Sequence, residues 1–238
     1  MGIVNFYLGV IMKILSIDTA SNICTVAILE NQTCIKEIIV NDARNHSEKI
    51  MPIIQQIFEE TNLSLDNIDL IVCDKGPGSF TGIRIGVGTV LAFKDSREIN
   101  CIGVSSLEAL VYNVKQNGLI CSLIDARNDN VYYGLFKSED NQYKQISELD
   151  FKNINEVIDI LKAENDKIYF VGDGALANQE LLQNSIKNCE FSDKNDLSSY
   201  SLGIAGYNKF INNELTDVMP LYLRKSQAER EHEKEEKI

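Results

Sequence analysis

The stretch ILSIDTASNICTVAIL, residues 14–29, decides the architecture once it is laid over CSLIDARNDNVYYGLF, residues 121–136. Each begins as an apolar strand and closes that strand with an aspartate, Asp18 in the first and Asp125 in the second. Each then turns through short polar residues and resumes as another strand. Outward from the first copy, a third strand over residues 34–40 leads to residues 47–61, where Ile50, Met51, Ile53, Ile54, Ile57 and Phe58 recur at the spacing of an amphipathic helix. An apolar strand over 68–73 then opens into the glycine turn GPGSFTG, residues 76–82. The second copy repeats this order with a helix over 154–161 and IYFVGDGA, residues 168–175, whose turn carries Gly172 and Gly174. Identity between the halves is weak, but the order of elements is shared.

Two tandem α/β units, each starting with a three-stranded meander, predict a duplicated ribonuclease-H-like architecture. A dinucleotide-binding fold is disfavoured, because no GxGxxG joins a first strand to a helix. The expected fold class is therefore α/β, with two such lobes whose mixed sheets are flanked by helices. The pattern places an N-terminal lobe at 12–112, a C-terminal lobe at 113–195, and a helix at about 198–212 that returns to the first lobe. Within these, Ser47 is expected to cap the first helix, with Pro52 in its early turns, where a missing amide does least harm. A helix over 83–94 is expected after the glycine turn, and Ser105 with Glu108 makes a capping pair for the next. The polar stretch 137–148 reads as a loop or hairpin. Residues 1–11 read as an extension ahead of Met12, and 224–238, which lacks an apolar face, as a solvated tail.

Composition narrows the function. The 238 residues are 44% apolar, enough to bury a core. Thirty-five acidic against 23 basic side chains give a formal charge of −12, which argues against broad non-specific binding to nucleic acid or anionic lipid. No apolar run is long enough to span a membrane, and residues 1–11 lack the basic region of an export signal. The six cysteines form no CxxC pair and mostly fall in apolar runs, as buried thiols of a reducing cytoplasm would. Two histidines, His46 and His232, leave almost no material for a histidine-rich metal centre or a Ser-His-Asp triad. No metal site is expected.

The residues that remain for chemistry admit two readings each. In the turn of Gly76, Pro77, Gly78, Ser79, Phe80, Thr81 and Gly82, the glycines permit close backbone approach, and the following helix start could offer amides to an anion. The same residues equally make a rigid strand-to-helix turn or a contact surface. It is not a phosphate loop of the GxxxxGK[ST] kind, since Ile83 follows Gly82. Arg84 could reach a phosphate, or a carboxylate across an interface. Asp18 and Asp125 stand where a metal–phosphate site wants carboxylates, or else cap their own turns.

Six stretches together resemble the TsaB family, also called YeaZ: KILSIDTASN (13–22), HSEKIMPII (46–54), DKGPGSFTGIRIGVG (74–88), GVSSLEAL (103–110), IDARNDNVYYGLF (124–136) and PLYLRKSQAERE (220–231). The resemblance covers nearly all of 12–231. It implies an actin-like fold of the ASKHA type and a cytoplasmic, non-catalytic subunit that pairs with TsaD. A TsaE-like ATPase joins them, and the complex installs threonylcarbamoyladenosine at position 37 of tRNA. The catalytic relative carries HxxxH on its first helix; here Ile50 stands four positions after His46, so that pair is missing.

The resemblance further implies helix-to-helix docking on TsaD through Ile50, Ile53, Ile54, Ile57 and Phe58 of the first helix and Ile83, Val87, Val90 and Leu91 of the second. The same surface would form homodimers when TsaD is absent. Asp18, Asp125, Gly172 and Gly174 become remnants of a nucleotide site. No cofactor is expected to be tightly bound, with at most weak ATP or ADP association in the complex. tRNA would be held mainly by the partners. The rival readings are an actin-fold ATP-dependent small-molecule kinase, a peptidase, and a structural homodimer with no role in RNA modification.

Overall fold

The computed structural model describes residues 11–41 and 46–224, without the side chain of His46. The first sheet contains β1 (Lys13–Asp18), β2 (Cys24–Glu30), β3 (Thr33–Val40), β4 (Leu70–Asp74) and β5 (Asn100–Val104), in the order β3-β2-β1-β4-β5. β2 runs antiparallel to β1 and β3, whereas β4 is parallel to both β1 and β5. The second sheet contains β6 (Gly118–Asp125), β7 (Asn130–Glu139), β8 (Gln142–Gln145), β10 (Ile168–Val171) and β11 (Cys189–Phe191), ordered β11-β10-β6-β7-β8, with β9 (Asp150–Asn153) also paired to β7. Its pairing senses repeat those of the first sheet strand for strand. The duplication read from the two aspartate-ended strands is thus a duplication of topology.

Each sheet is covered on both faces, so its central strands are buried nearly throughout and predominantly apolar rather than alternating. Helices α1 (His46–Thr61) and α2 (Phe80–Arg97) cover the outer face of the first sheet, packing on Leu15, Ile17, Val26, Ile28 and Ile71. The inner face, with Ile14, Leu29, Leu70 and Val72, receives α7 (Ser199–Ile211). In the second sheet, α4 (Ile154–Leu161), α5 (Asp173–Ala177) and α6 (Gln179–Ser185) lie outside, and α3 (Ser106–Val111) covers the inner face around Ile120, Tyr132 and Phe136. The two inner helices meet between the sheets. There Lys209 of α7 pairs with Glu108 of α3 at 2.9 Å, both largely shielded from water.

Helix ends explain most departures from the expected boundaries. α1 begins at His46, so Ser47 lies inside it rather than capping it, and Pro52 falls in the second turn, where its missing amide deprives the Glu48 carbonyl of a partner. α2 starts at Phe80, three residues before the expected Ile83, because Ser79 caps it by accepting a hydrogen bond from the Gly82 amide. It runs past the polar Lys94–Arg97 turn and stops at Glu98, in the left-handed conformation (φ 56°). Ser105 caps α3 by accepting from the Glu108 amide, as expected, but the Glu108 carboxylate pairs with Lys209 of α7 rather than closing the box back onto Ser105. The 137–148 stretch is a β7–β8 hairpin turned by Asp140 and Asn141, both at positive φ, the geometry a two-residue hairpin turn requires. The extension 1–10 and the tail 225–238 lie outside the described residues. Arg224, assigned by sequence to the solvated tail, is instead tucked against Tyr132 and Phe151.

The docking residues expected on α1 and α2 require a correction. Ile50, Ile53, Ile54, Ile57, Ile83, Val87 and Val90 are all buried in this chain's own core, and of the nine only Phe58 and Leu91 are partly exposed. A three–four periodicity reports an apolar face without saying what covers it, and here the first sheet does. What α1 and α2 turn outward is a different set: Met51, half exposed, with Gln55 and Gln56 on α1, and Gly88 and Ala92 on α2. Truncating fully buried Ile57 to Ala should therefore cost about 2–5 kcal/mol. Met51→Ala on the same helix should stay within about 0.5 kcal/mol. Urea midpoints of the two variants check this, and equal midpoints would refute the core assignment.

Candidate functional site

The turns at the carboxyl ends of the central strands converge on one cleft between the two sheets, of about 960 Å3. Its walls are the β1–β2 turn (residues 20–23), the glycine loop (77–80), the β6–β7 turn (125–128), Asp173 at the head of α5, residues 195–197 ahead of α7, and Arg224. Among the residues singled out from sequence, Pro77, Gly78, Ser79, Phe80 and Asp125 line it. Asp18, Gly76, Thr81, Gly82, Arg84, Gly172 and Gly174 do not.

The glycine loop is clasped to the β1–β2 turn, backbone against backbone. The Ser79 amide donates to the Ala20 carbonyl at 2.7 Å, and the Thr19 hydroxyl donates to the Gly82 carbonyl at 2.7 Å. A Cβ on Gly82 would sit 1.8 Å from the Thr19 carbonyl oxygen, and one on Gly78 would sit 2.3 Å from that of Ala20. Only glycine allows this approach. The hydroxyl of Ser79 is occupied with the Gly82 amide, and Arg84 donates from Nε to the Tyr222 hydroxyl at 2.9 Å. The Ser79 amide and hydroxyl, the Gly82 amide and carbonyl and the Arg84 Nε are thus engaged within the chain.

The aspartates behave likewise. Asp18 is fully buried, and its Oδ1 accepts from the Ala20 amide at 2.7 Å, capping its own turn. Asp125 accepts from the Arg127 amide at 3.0 Å, and its own amide donates to Asp173. Sequence reading missed Asp74, which ends β4 as Asp18 ends β1. Its Oδ1 accepts from the Gly76 amide and the Ser106 hydroxyl, both at 2.7 Å, holding the glycine loop to α3. Burial first, and the adjacent Asp18 carboxyl second, push Asp74 well above the usual carboxylate range. With both carboxyls ionised, Asp74 Oδ2 faces no donor; a proton on it turns the repulsion into a hydrogen bond to Asp18. Burial likewise raises Asp173. Gly172 and Gly174 pack on the backbone of β6 at Leu123 and Ile124.

What the cleft can do follows from this inventory. Asp125, Asp173 and Asp196 give its floor an acidic character, offset by Arg127 and Arg224. Among the described residues, no group of three or more His, Cys, Asp or Glu side chains is placed to hold a metal ion. The thiols are not poised as nucleophiles: burial pushes Cys24 up to about 12 and Cys101 up to about 11, and Cys73 and Cys121 are raised as well. Nor does any described helix have the length and apolarity to cross a membrane.

Two sheets that share one five-strand topology, inner helices between them and an interlobe cleft at the strand ends define an actin-like α/β protein. The ROK hexokinase of Thermus thermophilus shares that fold at 8% identity, with a TM-score of 0.52 over 84% of this chain and all of that one. Residues 33–232 match the family model described as TsaD, tRNA N6-adenosine threonylcarbamoyltransferase. It is 30% identical over 225 residues to the Bacillus subtilis tRNA threonylcarbamoyladenosine biosynthesis protein TsaB, covering 92% of this chain and 96% of that protein. The Escherichia coli TsaB is 35% identical over 133 residues, covering 55% and 57%. YeaZ from Pseudomonas aeruginosa superposes with a TM-score of 0.75 at 22% identity, over 89% of this chain and all of that one. The chain belongs to the TsaB family, known also as YeaZ.

The buried carboxyl pair has a pH signature. A carboxyl raised in the folded state binds a proton there that the unfolded chain releases, so its contribution is full at low pH and is lost as pH climbs from the ordinary carboxylate range through the raised value. Asn at position 74 keeps the acceptor for Gly76 and Ser106 and supplies a permanent donor to Asp18. Asp74→Asn should therefore flatten the fall in stability as pH rises above the ordinary carboxylate range, as read from urea unfolding along that rise. An unchanged slope would remove the pair as its source.

Proposed function

We propose that this chain is a non-catalytic subunit of the machinery that makes threonylcarbamoyladenosine in tRNA, and that it pairs with a TsaD-like catalytic paralogue. The observation that carries the reading is kinship with TsaB across nearly the whole chain. The turns around the cleft support it, because Asp18 and Asp125 accept from the amides of their own turns and Gly78 and Gly82 are spent on close backbone approach. The chain then acts as scaffold and activator, a TsaE-like ATPase joins the pair, and tRNA is held through the complex. Nucleotide association is weak, since the loop lacks the lysine of a phosphate loop and the cleft's Arg127 and Arg224 are matched by Asp125, Asp173 and Asp196.

Docking in this reading uses the outward face of α1 and α2, with Met51, Gly88 and Ala92 at its centre, rather than the isoleucines beneath it. Small residues at Gly88 and Ala92 let a partner helix approach closely, and the same face serves a second copy when the paralogue is absent. Depleting the protein and analysing tRNA nucleosides should reveal loss of threonylcarbamoyladenosine; an unchanged level would sink the functional reading. Met51→Lys with Ala92→Glu should abolish co-purification of the TsaD-like partner, leaving the urea midpoint near that of the unaltered protein. Retained co-purification would show that the docking face lies elsewhere.

A further inference from the structure

We propose that residues 216–224 form a strap that ties the two lobes together across the mouth of the cleft, with Arg224 as its latch. The strap begins along β5, the edge strand of the first sheet. The Gly103 amide donates to the Thr216 carbonyl at 3.2 Å, and the Thr216 hydroxyl donates to the Gly103 carbonyl at 2.5 Å. The Leu221 amide then donates to the Lys75 carbonyl at 2.7 Å, against the glycine loop. Tyr222 stacks on Phe80 with ring centroids 4.7 Å apart and planes 12° from parallel, and it accepts from Arg84 of α2. Up to this point every anchor belongs to the first lobe.

Two residues later every anchor belongs to the second. Arg224 donates from Nη1 to the Ala126 carbonyl at 3.1 Å, in the β6–β7 turn. Its guanidinium lies 5.3 Å from the ring centre of Phe151 and 5.8 Å from that of Tyr132, a cation over two aromatic faces. Two residues of extended chain reach only about 7 Å. The lobes therefore cannot swing apart at the cleft mouth without releasing either the Tyr222 stack or the Arg224 latch.

The latch is the weaker of the two. Arg224 Nε is buried with no acceptor among the described residues, so its hydrogen bonding is incomplete. The turn it grips is itself under tension: Arg127, Asn128 and Asp129 all adopt positive φ (66°, 53° and 57°). A cleft held at fixed width by a short tether differs from one whose halves hinge freely on the inner helices, and it is the C-terminal segment that makes the difference.

Hydrogen–deuterium exchange on the full chain tests the strap. Arg224→Ala should speed exchange in residues 125–131 and 76–84 by on the order of tenfold, leaving β1, β4 and β6 unchanged. Tyr222→Ala, cutting the same tether from its other end, should accelerate the same two segments. Unchanged exchange at both turns in both variants would overturn the proposal. If Arg224→Ala instead loosens both sheets throughout, Arg224→Lys decides: it keeps the charge but loses the planar stack. Acceleration confined to the two turns would then support the strap, and any other pattern would overturn it.

Discussion

The contact between Gly82 and Thr19 governs where much of this molecule lies. A carbonyl oxygen occupies the space that any side chain at position 82 would need, and the return bond from the Thr19 hydroxyl closes the clasp. That single approach fixes the first turn of α2 on the end of β1. The position of α2 in turn sets the wall of the cleft on one side and the outward face of the first lobe on the other. The carboxyls of Asp18 and Asp74 lie just beneath, each holding one of the clasped turns. Neither turn can move without disturbing this buried pair of carboxyls.

Much of this was legible in the residues. The aspartate-ended strands announced the duplication, because a buried parallel strand followed by a polar turn leaves the same apolar-then-acidic trace wherever it occurs. The glycine loop was legible as a place of close approach, and its reading as a rigid turn accords with the clasp. The latch was not. Tyr222 and Arg224 sit in a segment with no periodicity, and their partners Phe80, Tyr132 and Phe151 come from three distant stretches. Aromatic and cation–aromatic contacts of that kind leave no local pattern. Asp74 was half legible, since it ends its strand as Asp18 does, but its burial depends on α3 closing over it through Ser106.

The isoleucines of α1 show where pattern reading stops. An apolar stripe at spacings of three and four is equally consistent with a helix lying on its own sheet and one awaiting a partner. The discriminating signal lies in the residues between the stripes. Met51, Gly88 and Ala92 are apolar or small at positions that the covering sheet does not reach. A surface helix with no need to pack would more ordinarily carry charges there. The aspartates teach the complementary lesson: a carboxylate at a strand end is a catalytic candidate only until its hydrogen bonds are counted.

One feature of the topology bears on how the molecule comes into being. The inner face of the second sheet is covered by α3, which precedes that sheet in the chain, so its cover is present before its strands are made. The inner face of the first sheet waits for α7, whose residues follow its last strand by nearly a hundred positions. During synthesis, Ile14, Leu29, Leu70 and Val72 therefore stay uncovered until the whole second lobe has left the ribosome. When α7 arrives, Thr25 and Glu37 are already placed to receive its first turn, through Ser199 and through Ser198 with the Tyr200 amide. The lobe begun first is the lobe finished last, and a nascent chain of this kind has the most to gain from a chaperone on its N-terminal half.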